Sequence, residues 1–211
     1  MTKFLKFLSL VLILGMFSCK SVQQPVKNHD YVDLGLPSGT LWATTNIGAS
    51  KPIEPGTYLN FGYNFIPGRT QYNGGTLWDG ITGSQYDQAT AHWGKEWRTP
   101  TKSEIEELVD KCDWEAIKDP NQNNNTVGFK VKGPNGNIIV LPAGGMNGVY
   151  KDGKLVKLSE IYKLCLWSAT PYYCVKIPYD PHQPSVRSFL WTSLSPGTTF
   201  PNVPIRPVRN K

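Results

Sequence analysis

The polar and apolar positions in the middle of the chain follow a helical repeat. Apolar residues recur there at spacings of three and four: Ile105, Leu108, Val109 and Cys112. This spacing predicts a helix from about Lys102 to Cys112 with one apolar face. Thr101 and Glu104 match a capping box, in which a hydroxyl and a carboxylate each bind a backbone amide at the helix start.

A shorter helix is predicted just before this one. Its apolar and aromatic face consists of Tyr86, Ala89 and Trp93. Gly94 is placed to end it in a left-handed cap conformation. Because Pro100 disfavours helix at the residue before it, the segment from Trp97 to Thr99 is predicted to be extended. We expect the indoles of Trp93 and Trp97 to be buried beneath the longer helix.

Alternating apolar and polar residues between turn signals predict short strands over much of the remaining chain. The first hairpin joins Tyr31–Leu36 to Thr40–Thr44. A second joins Phe129–Lys132 to Ile138–Leu141 through a Gly-Pro-Asn-Gly turn. The unbroken apolar run of its second arm predicts a strand buried on both faces. Met146–Val156 is predicted to form a third hairpin.

Two more strands are predicted near the C-terminus, Leu164–Thr170 and Ser185–Trp191. A connection rich in proline and tyrosine, Pro171–Pro184, joins them. The whole pattern predicts an α+β fold with two short helices, small antiparallel sheets and long loops.

The N-terminal segment has the pattern of an export and anchoring signal. Lys3 and Lys6 precede an apolar stretch too short to span a bilayer comfortably, which predicts a signal peptide over residues 1–18. Ser18-Cys19 resembles a bacterial lipobox, so we expect acylation of Cys19 with chains such as palmitate. Residues 19–29 would then be a lipid-anchored tether at the outer membrane, facing the periplasm or the surface, and residues 30–211 one domain.

Composition favours an extracytoplasmic binding domain over a cytosolic enzyme. Charged residues make up only 18%, beside 20 Gly, 17 Pro, 7 Trp, 10 Tyr and 8 Phe. The net charge of +6 is modest and dispersed, and no run of Lys or Arg resembles a nucleic-acid-binding arm. We therefore expect no nucleic-acid partner.

Motifs that carry catalysis or bind metals are missing from the sequence. The three histidines, His29, His92 and His182, lie far apart and lack metal-ligand spacing. No nucleophile elbow or phosphate-binding glycine loop is present. The sequence thus predicts no catalytic residue, metal or cofactor.

Three cysteines follow Cys19, an odd number in a compartment that permits disulfides. Cys112 lies on the apolar helix face, where a thiol behaves as a small buried hydrophobe. Cys165 and Cys174 are either bridged between neighbouring strands or unpaired.

Several separated segments carry a resemblance to one family. They are Tyr31–Ala43, Tyr86–Ala91, Trp97–Thr101, Gly133–Asn137, Leu141–Gly145, Leu166–Thr170 and Ile205–Arg209. In order and spacing, over roughly Asp30 to Arg209, the chain resembles the Fibrobacter succinogenes major paralogous domain family. The resemblance implies a secreted protein or lipoprotein with a C-type lectin-like fold. In such a fold two helices and a small sheet support a loop-built binding face, and the N- and C-terminal strands pair.

The resemblance also implies where a ligand binds, near Pro171–Phe200. The residues expected to be exposed there are Tyr172, Tyr173, Tyr179, His182 and Arg187. Large, rigid aromatic side chains with polar tips suit recognition of a glycan or a protein. We therefore expect a non-catalytic module for adhesion or ligand binding. The residues assigned to its scaffold are Trp93, Trp97, Arg98, Trp167 and Arg206.

Two alternatives stay open. Sulfatase-modifying oxidases are similar in fold and hold copper with two cysteines, so Cys165 and Cys174 would suit a cysteine-dependent oxidase of that type. A structural subunit of a surface filament would instead expose a groove open to a strand from a partner.

Overall fold

The computed structural model describes residues 28–59, 71–72, 75–76, 80–123, 125–145, 147–151, 154–157, 162–170, 173–178, 190–193 and 202–211. Two α-helices occur there, α1 (Gln88–Trp93) and α2 (Lys102–Lys111), with a 3₁₀ helix at Pro120–Gln122. The strands before α2 are β1 (Tyr31–Asp33), β2 (Leu41–Ala43), β3 (Gln71–Tyr72) and β4 (Gly75–Thr76). Those after it are β5 (Asp113–Asp119), β6 (Asn125–Lys132), β7 (Ile138–Pro142), β8 (Asn147–Lys151), β9 (Lys154–Lys157), β10 (Tyr162–Trp167), β11 (Tyr173–Pro178), β12 (Leu190–Ser193) and β13 (Val208–Arg209).

The described strands form small antiparallel sheets, so the predicted α+β class is confirmed. Three sheets have three strands each, in the orders β1-β2-β13, β5-β6-β7 and β10-β11-β12. The pairs β3–β4 and β8–β9 are hairpins. The third predicted hairpin is thus present, with strands at Asn147–Lys151 and Lys154–Lys157.

The first sheet joins the two ends of the domain. Val32 and Val208 both lie opposite Trp42, one on each side of the middle strand. A turn closed by the Gly39 amide and the Leu36 carbonyl, 2.9 Å apart, connects β1 to β2. The C-terminal strand therefore completes the N-terminal hairpin, as the resemblance led us to expect.

Both helices begin and end at residues that the sequence marks. Thr101 and Glu104 form the predicted capping box of α2. Asp87 is the N-cap of α1, where its carboxylate accepts a hydrogen bond from the Ala89 amide at 2.9 Å. Gly94 ends α1 with φ 95° and ψ 173°. It thus has the predicted positive φ, but it is not in the left-handed helical conformation.

The core lies between α2 and the three sheets. Its best-buried side chains include Leu34, Trp42, Ile105, Leu108, Phe129, Val131, Leu141, Leu164, Leu166 and Val208. Three of the four predicted helix positions, Ile105, Leu108 and Cys112, are buried, and Val109 packs against the core at partial burial. Burial of each large apolar side chain contributes about 1.5–3 kcal/mol, so this cluster stabilises the described part of the fold strongly.

Four features differ from the sequence predictions. Trp97 is buried, but Trp93 is only half-buried. β7 is an edge strand whose first residue, Ile138, is 48% exposed, so it is not buried on both faces. β5 has no predicted counterpart. β11 lies inside the segment Pro171–Pro184, which was expected to be a connection.

None of the helices among the described residues is long and apolar enough to cross a lipid bilayer.

Candidate functional site

One predicted ligand-binding residue belongs to strand β11, and the others precede or follow this strand in sequence. Tyr173 is its first residue and lies opposite Ser193 of β12. The other four, Tyr172, Tyr179, His182 and Arg187, lie outside the described residues. Tyr172 precedes the strand directly in sequence, and Tyr179 follows it directly.

The strand separates these residues into two groups. An extended chain rises about 3.3 Å per residue, so the Cα atoms of Tyr173 and Pro178 are about 17 Å apart. The connection from β10 reaches β11 at its Tyr173 end, and residues 179–189 leave it at its Pro178 end. Tyr172 and Tyr173 thus belong to one end of the sheet, while residues 179–189 start from the other.

The pairing of β10 with β11 shows which residues lie on each face of this sheet. Leu164 and Leu166 of β10 are buried, and they lie opposite Ile177 and Val175 of β11. Because side chains alternate along a strand, Tyr173 occupies the same face as Val175. The register position of Tyr173 is therefore on the core face of the sheet.

The end of β10 is attached to the helical part of the domain by three hydrogen bonds. The Ala169 amide donates to the Pro100 carbonyl at 2.7 Å, and the Ala169 carbonyl accepts from the Ile81 amide at 3.0 Å. The Lys102 amide donates to Thr170 Oγ1 at 3.1 Å. The Tyr173 end of the sheet is thereby fixed beside the start of α2.

Cys165 and Cys174 are not opposite each other in the sheet. Cys165 lies opposite Lys176, and Cys174 lies opposite Trp167. The cysteines therefore occupy diagonal positions on one face, where Cα atoms are typically about 7–8 Å apart. Disulfides usually join Cα atoms about 4.4–6.8 Å apart, so this register disfavours a direct bridge. Cys112 is a free, buried thiol, and burial raises its pKa to about 11.

Asp87 connects the two segments that carry the helices. Its carboxylate accepts hydrogen bonds from the Gly83 amide at 2.8 Å and from the Ala89 amide at 2.9 Å. It also accepts from the Thr99 amide at 2.9 Å and from the Thr99 hydroxyl at 2.6 Å. A fully buried carboxylate that accepts four hydrogen bonds holds the turn before α1 against the segment between the two helices, which contains Thr99.

Arg98 and Glu104 form a second polar contact at the start of α2. The Arg98 guanidinium donates from Nη1 and Nη2 to the two Glu104 oxygens, at 2.7 and 2.5 Å. The Thr40 hydroxyl donates to the same carboxylate at 2.6 Å, which links α2 to the N-terminal hairpin. Burial alone would raise the pKa of Glu104, but the bonds from Arg98, Thr40 and the Thr101 amide outweigh it, and the pKa is about 2.

Arg206 is fully buried and binds neutral oxygens. Its Nε donates to Asn46 Oδ1 at 2.6 Å, and its two Nη atoms donate to the Ala43 and Val140 carbonyls at 2.9 and 2.8 Å. Burial lowers the pKa of Arg206 to about 9, so the side chain is still a cation at pH 7. The predicted scaffold role of Arg98 and Arg206 is confirmed by these contacts.

The turn between β6 and β7 docks on the end of β1. The side-chain amides of Asn135 and Asn137 both donate to the Asp33 carbonyl, at 2.9 and 2.8 Å. Gly133 packs so closely that a Cβ atom there would be 2.1 Å from the Leu34 carbonyl oxygen. Asn135 and Gly133 thus hold the second hairpin against the first.

A group of four aromatic side chains and one arginine lies near the point where the described chain begins. We call it the N-terminal aromatic cluster: His29, Tyr31, Trp93, Trp97 and Arg209. The His29 ring stacks on Trp93 with centroids 3.6 Å apart and planes 7° apart, and Trp93 meets Trp97 edge to face at 5.1 Å. The Arg209 guanidinium lies over the Tyr31 ring at 5.1 Å and over the Trp97 ring at 5.7 Å.

This cluster runs from the interior to the surface. Trp97 is 3% exposed and Tyr31 is 48% exposed, while His29 and Trp93 are intermediate. Sequence reasoning assigned Trp93 to the scaffold and His29 to the end of the tether, and it gave no role to Arg209. The spacing of Trp93 on α1 predicts that it packs against something, but no local pattern indicates that its partner is His29.

No group of three or more His, Cys, Asp or Glu side chains suited to a metal ion occurs within the described part of the chain. Comparison of the chain with protein-family models, with curated proteins and with solved structures finds no match.

Proposed function

We propose that this protein is an envelope lipoprotein, acylated at Cys19 and held at the outer membrane. Its one domain, lectin-like in fold, binds a glycan or a protein ligand without catalysing a reaction. The joining of β13 to the N-terminal hairpin supports the lectin-like fold, since the resemblance to the Fibrobacter succinogenes family implies that pairing.

The observation that carries this proposal is that the polar residues in the family-like segments form hydrogen bonds within the scaffold. Asp87 binds Thr99, Arg98 binds Glu104, and Asn135 binds the Asp33 carbonyl, so each joins two parts of the scaffold. The aromatic residues expected to bind ligand flank β11 or lie in the connection after it. A rigid scaffold whose loops carry recognition residues is a common design for binding modules.

The two ends of β11 are unequal candidates for the binding site. The Tyr173 end follows Ala169 and Thr170, which are hydrogen-bonded to the Pro100 carbonyl and the Lys102 amide, and the register of Tyr173 is on the core face. Residues 179–189 form the longer connection. We therefore assign the main ligand contacts to Tyr179, His182 and Arg187, with Tyr172 and Tyr173 in a supporting position.

A binding assay with two multiple variants tests this assignment. Protein comprising residues 20–211 is applied to a broad glycan array and to whole cells. The first variant carries Tyr179→Ala, His182→Ala and Arg187→Ala, and the second carries Tyr172→Ala and Tyr173→Ala. Because aromatic and arginine contacts dominate binding energies, we expect the first variant to lose at least about 10-fold in affinity and the second clearly less.

Circular dichroism and thermal unfolding of both variants serve as the control for folding. Equal losses would place the site at both ends of the sheet. Undiminished binding by the first variant would contradict the assignment. A lack of binding by the wild-type protein to glycans and cells alike would remove the adhesion proposal.

A further inference from the structure

We propose that the N-terminal aromatic cluster is the face of the domain that lies against the membrane, with Trp93 and Tyr31 at the level of the lipid headgroups. This inference rests on the proposed lipid anchor at Cys19 and extends it to the orientation of the domain. The occupant of the surface is the lipid bilayer that holds the anchor.

The length of the connecting chain restricts how far the cluster stands from the bilayer. Ten peptide units separate Cys19 from His29, and at full extension they reach about 35 Å. A domain of this size has a radius of gyration of about 16 Å, which corresponds to a diameter of about 40 Å. Because the tether is shorter than the domain is wide, it cannot run round to the opposite face. The side that carries His29 is therefore held within about 35 Å of the anchor.

The packing of His29 determines where the tether joins the domain. Its ring stacks on Trp93 at 3.6 Å and contacts Trp97 edge to face at 6.0 Å, so the chain is held to the domain from this residue onward. The free length of the tether therefore ends at the aromatic cluster itself.

The chemistry of the cluster suits the interface between water and lipid. Indole and phenol rings with one apolar body and one polar tip concentrate at the headgroup level of membranes. Tyr31 is 48% exposed and Trp93 is half-buried, so both present ring surface to the outside. The stacked His29 and the guanidinium of Arg209 add polar groups to the same cluster.

Two of the cations near the cluster are paired with carboxylates, which favours general interfacial binding over binding to anionic lipids. Arg209 Nη2 lies 3.2 Å from Glu96, and Lys211 Nζ lies 2.9 Å from Asp33. Because these two cations already have carboxylate partners, they offer less positive charge to anionic lipids than unpaired cations would. We expect the contact with lipid to be as strong on zwitterionic as on anionic bilayers.

Fluorescence quenching in reconstituted vesicles tests this orientation. Full-length acylated protein is incorporated into phosphatidylcholine vesicles that contain lipids brominated on the acyl chain near the headgroup. Bromine quenches only nearby indoles, so the wild-type protein should lose part of its tryptophan emission. Trp93→Phe should remove most of that quenching. The matched control is Trp114→Phe on β5, whose indole donates to the Leu108 carbonyl and should leave the quenching unchanged.

The outcomes separate this inference from the proposed anchor. Flotation with the vesicles tests the anchor, and its absence would overturn both proposals. Flotation without quenching, or with quenching that Trp93→Phe leaves intact, would overturn the orientation and keep the anchor. If Trp93→Phe fails to fold, the wild-type protein is measured instead in vesicles whose lipids carry bromine at different depths. Quenching by shallow bromines alone supports the inference, and quenching by none contradicts it.

Discussion

Arg206 shows how a single buried cation holds several parts of the domain together. Its three donors bind Asn46, Ala43 and Val140, which belong to the loop after β2, to β2 itself and to β7. The carbonyls of two different sheets thus share one guanidinium. Such a planar group with fixed donor directions satisfies several acceptors at once, which a lysine ammonium does less well.

We expect Arg206→Met to lower the free energy of unfolding by about 3 kcal/mol or more, because it leaves two buried acceptors and one part-buried acceptor without donors. Urea denaturation at pH 7 measures this. The matched control is Lys130→Met, since Lys130 is 50% exposed and its ion pair with Glu115 spans 3.6 Å. That variant should change stability by no more than about 0.5 kcal/mol. Similar effects of the two substitutions would contradict the role given to Arg206.

Glu104 gives the domain a predictable dependence on pH. Its pKa falls from 4.5 to about 2 on folding, so the folded state prefers the ionised carboxylate. The corresponding stabilisation is fully present above pH 4.5 and is lost as the pH falls through 2. Because solvent partly screens this contact, the energy involved is on the order of 1–3 kcal/mol.

The variant Glu104→Gln tests this at two pH values. It removes the charge, so its unfolding free energy should be well below that of the wild-type protein at pH 7. The difference should shrink as the pH falls below 4.5, where the unfolded wild-type chain begins to bind the proton, and it should be smallest near pH 2, where the folded carboxylate is protonated as well. Urea denaturation of both proteins gives the difference directly. A gap that stays constant from pH 7 to pH 2 would show that the carboxylate charge is not what stabilises the contact.

Among the elements, the turn between β6 and β7 shows most clearly how particular residues let one hairpin pack on another. Gly133 and Gly136 lie in the same turn but in opposite surroundings. A Cβ atom on Gly133 would be 2.1 Å from the Leu34 carbonyl oxygen, whereas one on Gly136 would meet nothing within 4 Å. Gly136 instead has φ 87°, a conformation that carries a modest penalty for other residues.

These two glycines make a matched pair of substitutions. Gly136→Ala should cost about 1–2 kcal/mol from its backbone conformation alone. Gly133→Ala should cost more, about 3 kcal/mol, because two segments of backbone must move apart. Thermal unfolding of the two variants compares them. A smaller effect for Gly133→Ala would show that the second hairpin does not pack tightly on the first.

The elements that sequence predicted well are those with strong local signals. The capping box of α2 and the explicit turn of the β6–β7 hairpin depend on residues close together in sequence, and both are present. β5 was missed because its exposed positions carry charges, so it lacks the apolar run that marked other strands. β11 was missed because prolines and tyrosines around it resemble a connection. The strands β10 and β12 overlap predicted strands, but their pairing with β11 is known only from the fold.

The edge position of β7 was also beyond local reasoning. An unbroken apolar run is equally compatible with a central strand and with an edge strand that has one residue exposed. Only the sheet order β5-β6-β7 distinguishes the two. For the same reason the sequence pointed to the aromatic residues around β11 but could not show that the strand divides them into two groups.

At the scale of the whole molecule, the scaffold and the proposed binding site use different residues. The scaffold is closed by long-range contacts, such as the 2.6 Å bond from Arg206 to Asn46 and the pairing of β13 with β2. The proposed site belongs to the connection between β11 and β12. We propose that the N-terminal aromatic cluster orients the domain on the membrane. Recognition should therefore be removable without loss of the fold.

Replacement of residues 179–189 by a glycine and serine linker of equal length tests this separation most directly. The affinity for the ligand found on the glycan array or on cells is measured beside thermal unfolding. Our account predicts that binding falls by at least about 10-fold, because the recognition side chains are gone, while the unfolding transition stays cooperative. Binding retained at wild-type affinity would contradict the account, since the ligand would then be held by the scaffold or by another loop.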